Sequence, residues 1–198
     1  MSALNELIAE IESCKNCELA RHRTRAVPCE GPEDARLLFI GEAPGFYEDQ
    51  SGRPFVGPAG QYLDQLIGMI GFKRNQVFIA NVIKCRPPEN RDPLPGEIQA
   101  CSKWLEQQLE MIKPRVVVTL GRYSMAKYFP GDSISKVHGR AKRIGGTVYF
   151  AMYHPAAALH QGSLRKVIES DMLKLPGVLA ETDTVSEEKE KPAQLNLF

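Results

Sequence analysis

Four of the five cysteines have a spacing that could place their thiolates on one metal centre. Cys14 and Cys17 form a CxxC pair near the N-terminus, and Cys85 and Cys101 follow in the middle of the chain. Thiolates in such sets bind iron-sulfur clusters, and a tetrahedral set of four also binds zinc. Ligand chemistry alone leaves both metals open, although zinc ribbons usually have a second short pair. Cys29 fits neither pair.

The elements that must position these residues alternate between strand and helix. Apolar runs predict four strands, at residues 36–41, 76–83, 115–121 and 147–152. Apolar residues at helical spacing predict helices over 3–13, 58–70, about 96–112 and 164–175, the last of them ended by Pro176 and Gly177. Strands that are apolar throughout favour a parallel sheet covered on both faces. The predicted fold class is therefore α/β, a three-layer α/β/α domain with a central, mainly parallel four-stranded sheet.

Ligand crevices in such sheets lie beyond the carboxyl ends of the strands. Each predicted strand is followed there by a residue or loop that could contact a ligand. These are the loop from Gly41, residues 81–86, Gly121, and His154 with Pro155. We expect the four places to converge in space.

Composition predicts one domain and a tail. The chain has 198 residues, of which 43% are hydrophobic and 25% charged, with a net charge of +1. Residues 1–180 are predicted to form the domain, and residues 181–198 a flexible acidic tail with a disordered linker over 183–193. No apolar run has membrane-spanning length, the N-terminus lacks the order of a secretory signal, and the cysteine count is odd. These features predict a cytoplasmic protein, and we expect a monomer.

Four motifs in order give the chain a resemblance to the family 4 uracil-DNA glycosylases, the iron-sulfur type of bacteria and archaea. They are Gly41-Glu-Ala-Pro-Gly45 with Glu48-Asp49, Gly52-Arg-Pro-Phe-Val-Gly57, Asn81-Val-Ile-Lys-Cys-Arg-Pro-Pro88 and His154-Pro-Ala-Ala157. With the cysteines, they span the chain from residue 14 to about 175.

The resemblance implies a uracil-DNA glycosylase-like fold and an enzyme of base excision repair. Such an enzyme flips uracil out of single- or double-stranded DNA and hydrolyses its N-glycosidic bond, leaving an abasic site. The resemblance also implies one [4Fe-4S] cluster, which favours iron over zinc. Its ligands would be Cys14, Cys17, Cys85 and Cys101.

The same resemblance implies roles for four residues of the site. Uracil presents an N3–H donor beside the O4 acceptor, whereas cytosine presents an acceptor beside a donor, so a fixed amide at Asn81 could separate them. The ring of Phe55 would stack on the base. His154 would donate an N–H to O2 of the departing uracil. Glu42 would orient water or stabilise the cationic sugar.

Further contacts follow from the matching loops. The backbone of Gly41, Glu42, Ala43 and Gly45 is predicted to contact the base, because glycine permits close approach. Glu48 resembles the family position beside uracil C5, where it would exclude the methyl group of thymine. Leu159 is a candidate wedge for the gap left in the DNA, although it could equally pack in the last helix. Candidate phosphate contacts are Arg86, Arg91, Arg140 and Arg165.

The chain ends with an apolar patch, Gln194-Leu195-Asn-Leu197-Phe198. It resembles the QLxLF-type motif through which bacterial repair proteins bind the sliding clamp. Packing back onto the domain is the alternative, and the acidic tether favours docking.

Two other functions stay open at this stage. One is a relative that binds uracil-DNA covalently through a histidine in an inserted basic loop, but residues 86–95 have neither the histidine nor the insertion. The other, from a different class, is a non-catalytic DNA-binding module that carries a metal cluster and is recruited through its tail.

Overall fold

The computed structural model describes residues 2–190. Its strands are β1 (Leu37–Gly41), β2 (Phe78–Asn81), β3 (Val116–Leu120), β4 (Ala141–Ile144) and β5 (Thr147–Met152). Its α-helices are α1 (Ala3–Ser13), α2 (Phe46–Ser51), α3 (Pro58–Met69), α4 (Pro95–Ile112), α5 (Arg122–Met125), α6 (Ile134–Val137), α7 (Pro155–His160), α8 (Leu164–Met172) and α9 (Leu175–Glu190). Short 3-10 turns cover Glu18–Arg21, Arg74–Gln76 and Pro88–Asn90. No helix within residues 2–190 has both the length and the apolar character needed to cross a membrane.

The strands form one sheet in the order β2-β1-β3-β5-β4. The first four of these run parallel, and β4 is antiparallel to β5. Gly41 pairs with Asn81 where β1 and β2 end. The Gly121 N–H donates to the Met152 carbonyl at 2.8 Å, which joins the ends of β3 and β5. The carboxyl ends of the four parallel strands therefore meet at one edge, as predicted.

Alternate residues of each parallel strand pack into opposite layers. In β1, Leu38 and Ile40 belong to a core shared with α1 and α4. Their neighbours Leu37 and Phe39 belong to a second core, shared with α3 and α8. Because both faces are covered, every residue of β1, β2 and β3 is buried, and this explains why the strands are apolar throughout. The predicted three-layer α/β/α class is confirmed.

The sheet has five strands, so the prediction of four was wrong by one. The missed strand, β4, lies at the sheet edge, and all four of its residues are exposed. Its sequence includes Lys142 and Arg143, charged residues that protect an edge from pairing with another chain. An exposed, charged strand has no apolar pattern, and for that reason the sequence did not reveal it.

The predicted end of the last helix was also wrong. The structure divides this region into α8 and α9, and Pro176 lies in the first turn of α9. A proline there removes an N–H that has no helical partner anyway, so it starts a helix as readily as it ends one. Helix α9 continues through Glu190, into the segment predicted as a disordered linker.

Candidate active site

A cavity of about 380 Å³ opens at the carboxyl edge of the sheet. Its walls come from the loops after β1, β2 and β5 and from the starts of α2, α3 and α7. The lining residues predicted from the sequence are Glu42, Ala43, Gly45, Glu48, Phe55, Asn81 and His154. Further lining residues are Pro44, Ala59, Pro87, Asn90, Arg91, Ala156 and His160. The loops that are distant in sequence thus form one site.

Asn81 lines this cavity and carries an unpartnered acceptor. Its side chain is 2% exposed, and Oδ1 is buried with no hydrogen-bond partner among the described residues. A buried amide oxygen without a partner is costly, so such an atom is expected to meet a donor from a ligand. Gly41 lies against it, since a Cβ there would be 2.3 Å from Asn81 Oδ1. The absence of a side chain at Gly41 therefore makes room for the amide.

Phe55 forms one wall of the cavity from a strained backbone. Its φ of 51° lies in the left-handed region, which is uncommon for a residue with a side chain. A Cβ at Gly60 would be 1.8 Å from the Phe55 carbonyl oxygen, so this helix position has to be glycine. Arg74 donates from Nη1 to the same oxygen at 3.1 Å and forms an ion pair with Glu30. Distant residues thus hold Phe55 in place.

His154 lies opposite, at the start of α7. Its imidazole is stacked on Phe55, with ring centroids 5.5 Å apart and an angle of 26° between the planes. Nδ1 accepts the Ala156 N–H at 3.1 Å, so in the neutral ring the proton is on Nε2. Burial lowers the pKa of His154 to about 4, although the charge of Glu48 opposes this. Near neutral pH, the residue is therefore a neutral N–H donor.

Glu48 connects two loops of the cavity. Its Oε1 accepts the N–H groups of Val56 and Gly57, each at 2.8 Å, and its Oε2 accepts the Gly45 N–H at 3.1 Å. The carboxylate therefore holds the loop before α2 against the loop that follows Phe55. The sequence placed Glu48 in the site but did not predict these three bonds, because the partners lie up to nine residues away.

Glu42 is an acid that lines the cavity, and its surroundings raise its pKa. Burial has the largest effect, and the negative charge of Asp92 adds to it. Arg122 opposes both and forms an ion pair with Asp92. Among residues 2–182, whose side chains the structure describes, no group donates a hydrogen bond to the Glu42 carboxylate, so it is free to accept one from water or a ligand. Sequence reasoning did not identify Asp92, which lies in the segment before α4, or Arg122, the first residue of α5.

A buried lysine, Lys84, bonds to the backbone of Asn81. Lys84 is 1% exposed, and its ammonium donates to the Asn81 carbonyl at 2.8 Å and to Gln108 Oε1 at 2.6 Å. Gln108 donates in turn to the Pro28 carbonyl at 3.0 Å. This chain fixes the backbone that carries the unpartnered amide. The motif from residue 81 to 88 contained Lys84, but its sequence did not indicate that the side chain turns inward.

The four predicted metal ligands lie on elements of one layer. Cys14 caps the end of α1, Cys17 precedes the turn Glu18–Arg21, and Cys101 lies on α4, which packs against α1. Cys85 follows β2 and is buried in the same core. The Arg23 guanidinium donates to Cys85 Sγ at 2.9 Å.

The charges of these thiols affect one another's pKa. Burial raises the pKa of Cys101 to about 11, the charge and backbone N–H of Lys84 oppose this, and negative charge on Cys85 and Cys17 adds to it. Burial also raises the pKa of Cys85, opposed by Arg23 and reinforced by Cys17 and Cys14. Among residues 2–190, no set of three or more histidine, cysteine or acidic side chains has the geometry to hold a single metal ion.

Other predicted residues lie outside the cavity or are already paired. Leu159 is 52% exposed on α7 and is not a core residue. Arg91 forms a bidentate pair with Glu97, and Arg165 pairs with Glu169. The docking motif at residues 194–198 lies outside the described residues.

Comparison with known proteins agrees with the geometry. A family model described as the Uracil DNA glycosylase superfamily matches residues 28–173. The type-4 uracil-DNA glycosylase of Sulfurisphaera tokodaii is 47% identical over 188 residues, which cover 88% of this chain and 84% of the relative. The corresponding enzyme of Archaeoglobus fulgidus is 44% identical, covering 88% and 92%, and that of Thermotoga maritima is 41% identical, covering 86% and 92%. The chain belongs to the uracil-DNA glycosylase superfamily, and the resemblance to family 4 is confirmed.

Proposed function

We propose that this protein is a monofunctional uracil-DNA glycosylase. It takes a uracil base out of DNA into the cavity and hydrolyses the N-glycosidic bond, leaving an abasic site. The similarity to three type-4 enzymes over most of the chain supports the reaction. The observation that carries the proposal for this site is the buried, unpartnered Asn81 Oδ1.

Recognition depends on what that oxygen can accept. Uracil offers its N3–H to Asn81 Oδ1, and its O4 accepts from the amide nitrogen of the same side chain. Cytosine has no N3–H, so it would leave the buried oxygen unpaired, at a cost of about 1–3 kcal/mol. Phe55 stacks on the flipped base and sets its plane. Asn81 and Phe55 together select the base and its orientation.

The reaction separates charge, and residues of the cavity stabilise the charges that develop. Water adds to C1′ of the sugar, the bond from C1′ to N1 breaks, and the electron pair leaves with uracil. His154 donates its Nε2–H to O2 of the uracil anion, a stabilisation that strengthens as charge develops. The Glu42 carboxylate, which has no protein donor among the described residues, orients the attacking water and accepts its proton.

The cysteines fit one [4Fe-4S] cluster. In such a cluster, each of the four thiolates binds a different iron atom, so the sulfur atoms need not converge on a single point. Cys14, Cys17, Cys85 and Cys101 supply this number of ligands, and the last two are buried. The cluster would supply covalent cross-links between α1, the segment after β2 and α4. Since hydrolysis requires no electron transfer, this role is structural.

The partners and organisation follow from the same proposal. The substrate is uracil-containing DNA, bound by a monomer in the cytoplasm, with residues 1–180 as the glycosylase domain. The motif Gln194-Leu195-Asn-Leu197-Phe198 would dock on a sliding clamp. The covalent relative is disfavoured, because residues 86–95 contain no histidine. The non-catalytic module is disfavoured by the free Glu42 carboxylate and the neutral imidazole of His154.

The direct test uses an oligonucleotide that carries one uracil. Incubation with the protein, followed by alkali, should cleave the strand at the uracil, and free uracil should be detected by mass spectrometry. A heat- and SDS-stable protein-DNA adduct would instead indicate the covalent relative. DNA binding without release of uracil, by protein with intact metal, would favour the non-catalytic module.

A further inference from the structure

Two neighbouring aromatic side chains are exposed at the mouth of the cavity. Phe46 is 51% exposed and Tyr47 is 58% exposed, and they follow directly after Gly45, which lines the cavity. Their rings meet edge to face, with centroids 5.6 Å apart. Single exposed apolar residues are ordinary, but an aromatic pair at the rim of a site indicates a surface for a ligand.

The local structure fixes this pair to the rim. Both residues lie in the first turn of α2, which Glu48 ties to the loop after Phe55. Tyr47 also packs against Gly57, since a Cβ at that glycine would be 3.0 Å from Tyr47 Cδ2. The rings therefore have a defined position relative to the base pocket.

A cation lies beside the pair. The Arg86 guanidinium is 5.2 Å from the centroid of the Phe46 ring. Its Nε donates to Asn90 Oδ1 at 2.7 Å, and Asn90 lines the cavity. Among residues 2–182, whose side chains the structure describes, no acid pairs with Arg86, and its hydrogen bond through Nε leaves the terminal nitrogens available. Aromatic rings with an available guanidinium are the combination that binds single-stranded nucleic acid.

We propose that Phe46 and Tyr47 form a platform on which the base next to the flipped uracil in single-stranded DNA stacks against the face of one ring while the other ring supports that ring edge-on, and that Arg86 binds the adjoining phosphate. This inference rests on the proposed glycosylase function and specifies the substrate further. In a single strand, the neighbouring base has no pairing partner and is free to stack on the platform. In a duplex it is already paired and stacked, so moving it onto the rings requires its extrusion as well.

The test compares protein variants with changes in the DNA. The substrates are single-stranded oligonucleotides with one uracil, in which the base on its 5′ or 3′ side is present or replaced by an abasic tetrahydrofuran. Single-turnover excision and kcat/KM are measured for the wild type and for Phe46→Ala/Tyr47→Ala. For the wild type, removing the base on one side should lower kcat/KM by roughly 5- to 100-fold, as loss of one stacked base predicts. The double variant should show a similar loss with the intact strand and little further loss with the abasic neighbour.

Matched controls separate stacking from general damage. Tyr47→Phe keeps the ring and should retain the response to the neighbouring base. Leu173→Ala removes an apolar residue that is 56% exposed on another part of the surface, and it should behave like the wild type. Arg86→Gln should weaken binding of the intact strand and reduce its dependence on salt.

The outcomes distinguish this inference from the proposed function. If the wild type excises uracil and the abasic neighbour lowers kcat/KM equally in the wild type and the double variant, the platform is disproved while the glycosylase stands. The same conclusion follows if the abasic neighbour has no effect on the wild type. If the wild type excises no uracil from any oligonucleotide, the proposed function itself fails.

Discussion

The imidazole of His154 lies nearly parallel to the ring of Phe55, with 26° between the planes and 5.5 Å between the centroids. The Nε2–H lies in the plane of the imidazole, so it is directed nearly parallel to the plane of a base stacked on Phe55. A donor with that direction is suited to the edge of the base, where O2 is located, and not to its face. The stacking contact and the proposed hydrogen bond therefore belong to one arrangement.

Replacing His154 should slow the chemical step. For His154→Ala we expect a single-turnover rate of excision lower by about 10²–10³-fold, the usual effect of removing one preorganised donor to a developing anion. Binding of product-like abasic DNA should change much less, because the donor acts mainly when charge develops on uracil. His22→Ala, a change at an exposed histidine in another loop, is the control and should leave the rate unchanged. An unchanged rate in His154→Ala would exclude the proposed role.

The pH dependence of the rate should report Glu42. This carboxylate must be ionised to accept a proton, so the rate falls as pH drops through its pKa, which burial and Asp92 raise. Asp92→Asn removes a negative charge near Glu42 and frees the Arg122 guanidinium from its ion pair. Both effects lower the pKa of Glu42, so the acid limb of the pH profile moves to lower pH. Arg122→Gln removes the opposing positive charge and should move the limb to higher pH.

Each of these shifts is expected to be small, because water and salt screen the exposed Asp92–Arg122 pair. The measurement is the single-turnover rate from pH 4 to pH 8 at constant ionic strength. Lys127→Gln breaks an exposed ion pair with Glu106 and should leave the profile unchanged. Shifts in the same direction for both test variants would show that Glu42 is not the titrating group.

Gly41 should tolerate no side chain. In Gly41→Ala, the new Cβ would lie 2.3 Å from Asn81 Oδ1 and 2.6 Å from Phe55 Cε2, so the recognition amide or the stacking ring must move. We expect kcat/KM for uracil to fall at least about 10-fold, since small displacements of positioning groups are costly. Gly68→Ala in α3 meets no atom within 4 Å and is the matched control.

The control should keep full activity and gain up to about 1 kcal/mol of unfolding free energy, because alanine is a better helix former than glycine. Chemical denaturation of both variants checks this difference. If Gly41→Ala and Gly68→Ala had equal kcat/KM, the close packing around Asn81 would have no part in recognition.

The metal content should depend on four cysteines and not on the fifth. Cys14→Ala and Cys101→Ala are expected to lose bound iron and the broad visible absorption of an iron-sulfur protein. Cys29→Ala should keep both, because Cys29 is outside the predicted ligand set and its thiol forms a hydrogen bond with Gln108. Elemental analysis of iron, zinc and sulfide in protein purified without oxygen makes the comparison. Colourless protein with stoichiometric zinc, or loss of iron in Cys29→Ala, would contradict the assignment.

Local sequence patterns were sufficient to predict the buried strands. The strands at β1, β2 and β3 were predicted because residues buried on both faces must be apolar along the whole strand, and β5 because most of its residues are buried as well. The edge strand β4 and the start of α9 were missed, since exposed edges and prolines in a first turn have no such pattern. Three of the motifs likewise identified residues that line the cavity because they lie at the ends of β1, β2 and β5, whereas the motif that contains Phe55 follows α2.

The sequence by itself therefore determined the family, the layered fold and the set of candidate residues, all of which depend on residue type and local order. Only the tertiary structure decided how those residues act on one another. The N–H groups of Val56 and Gly57 on Glu48, the ammonium of Lys84 on Gln108 and the opposing charges of Asp92 and Arg122 at Glu42 join segments that are separate in the chain. Hydrogen bonds and charges act through space over a few ångströms, so their effects are fixed only when the folded sheet brings these segments together.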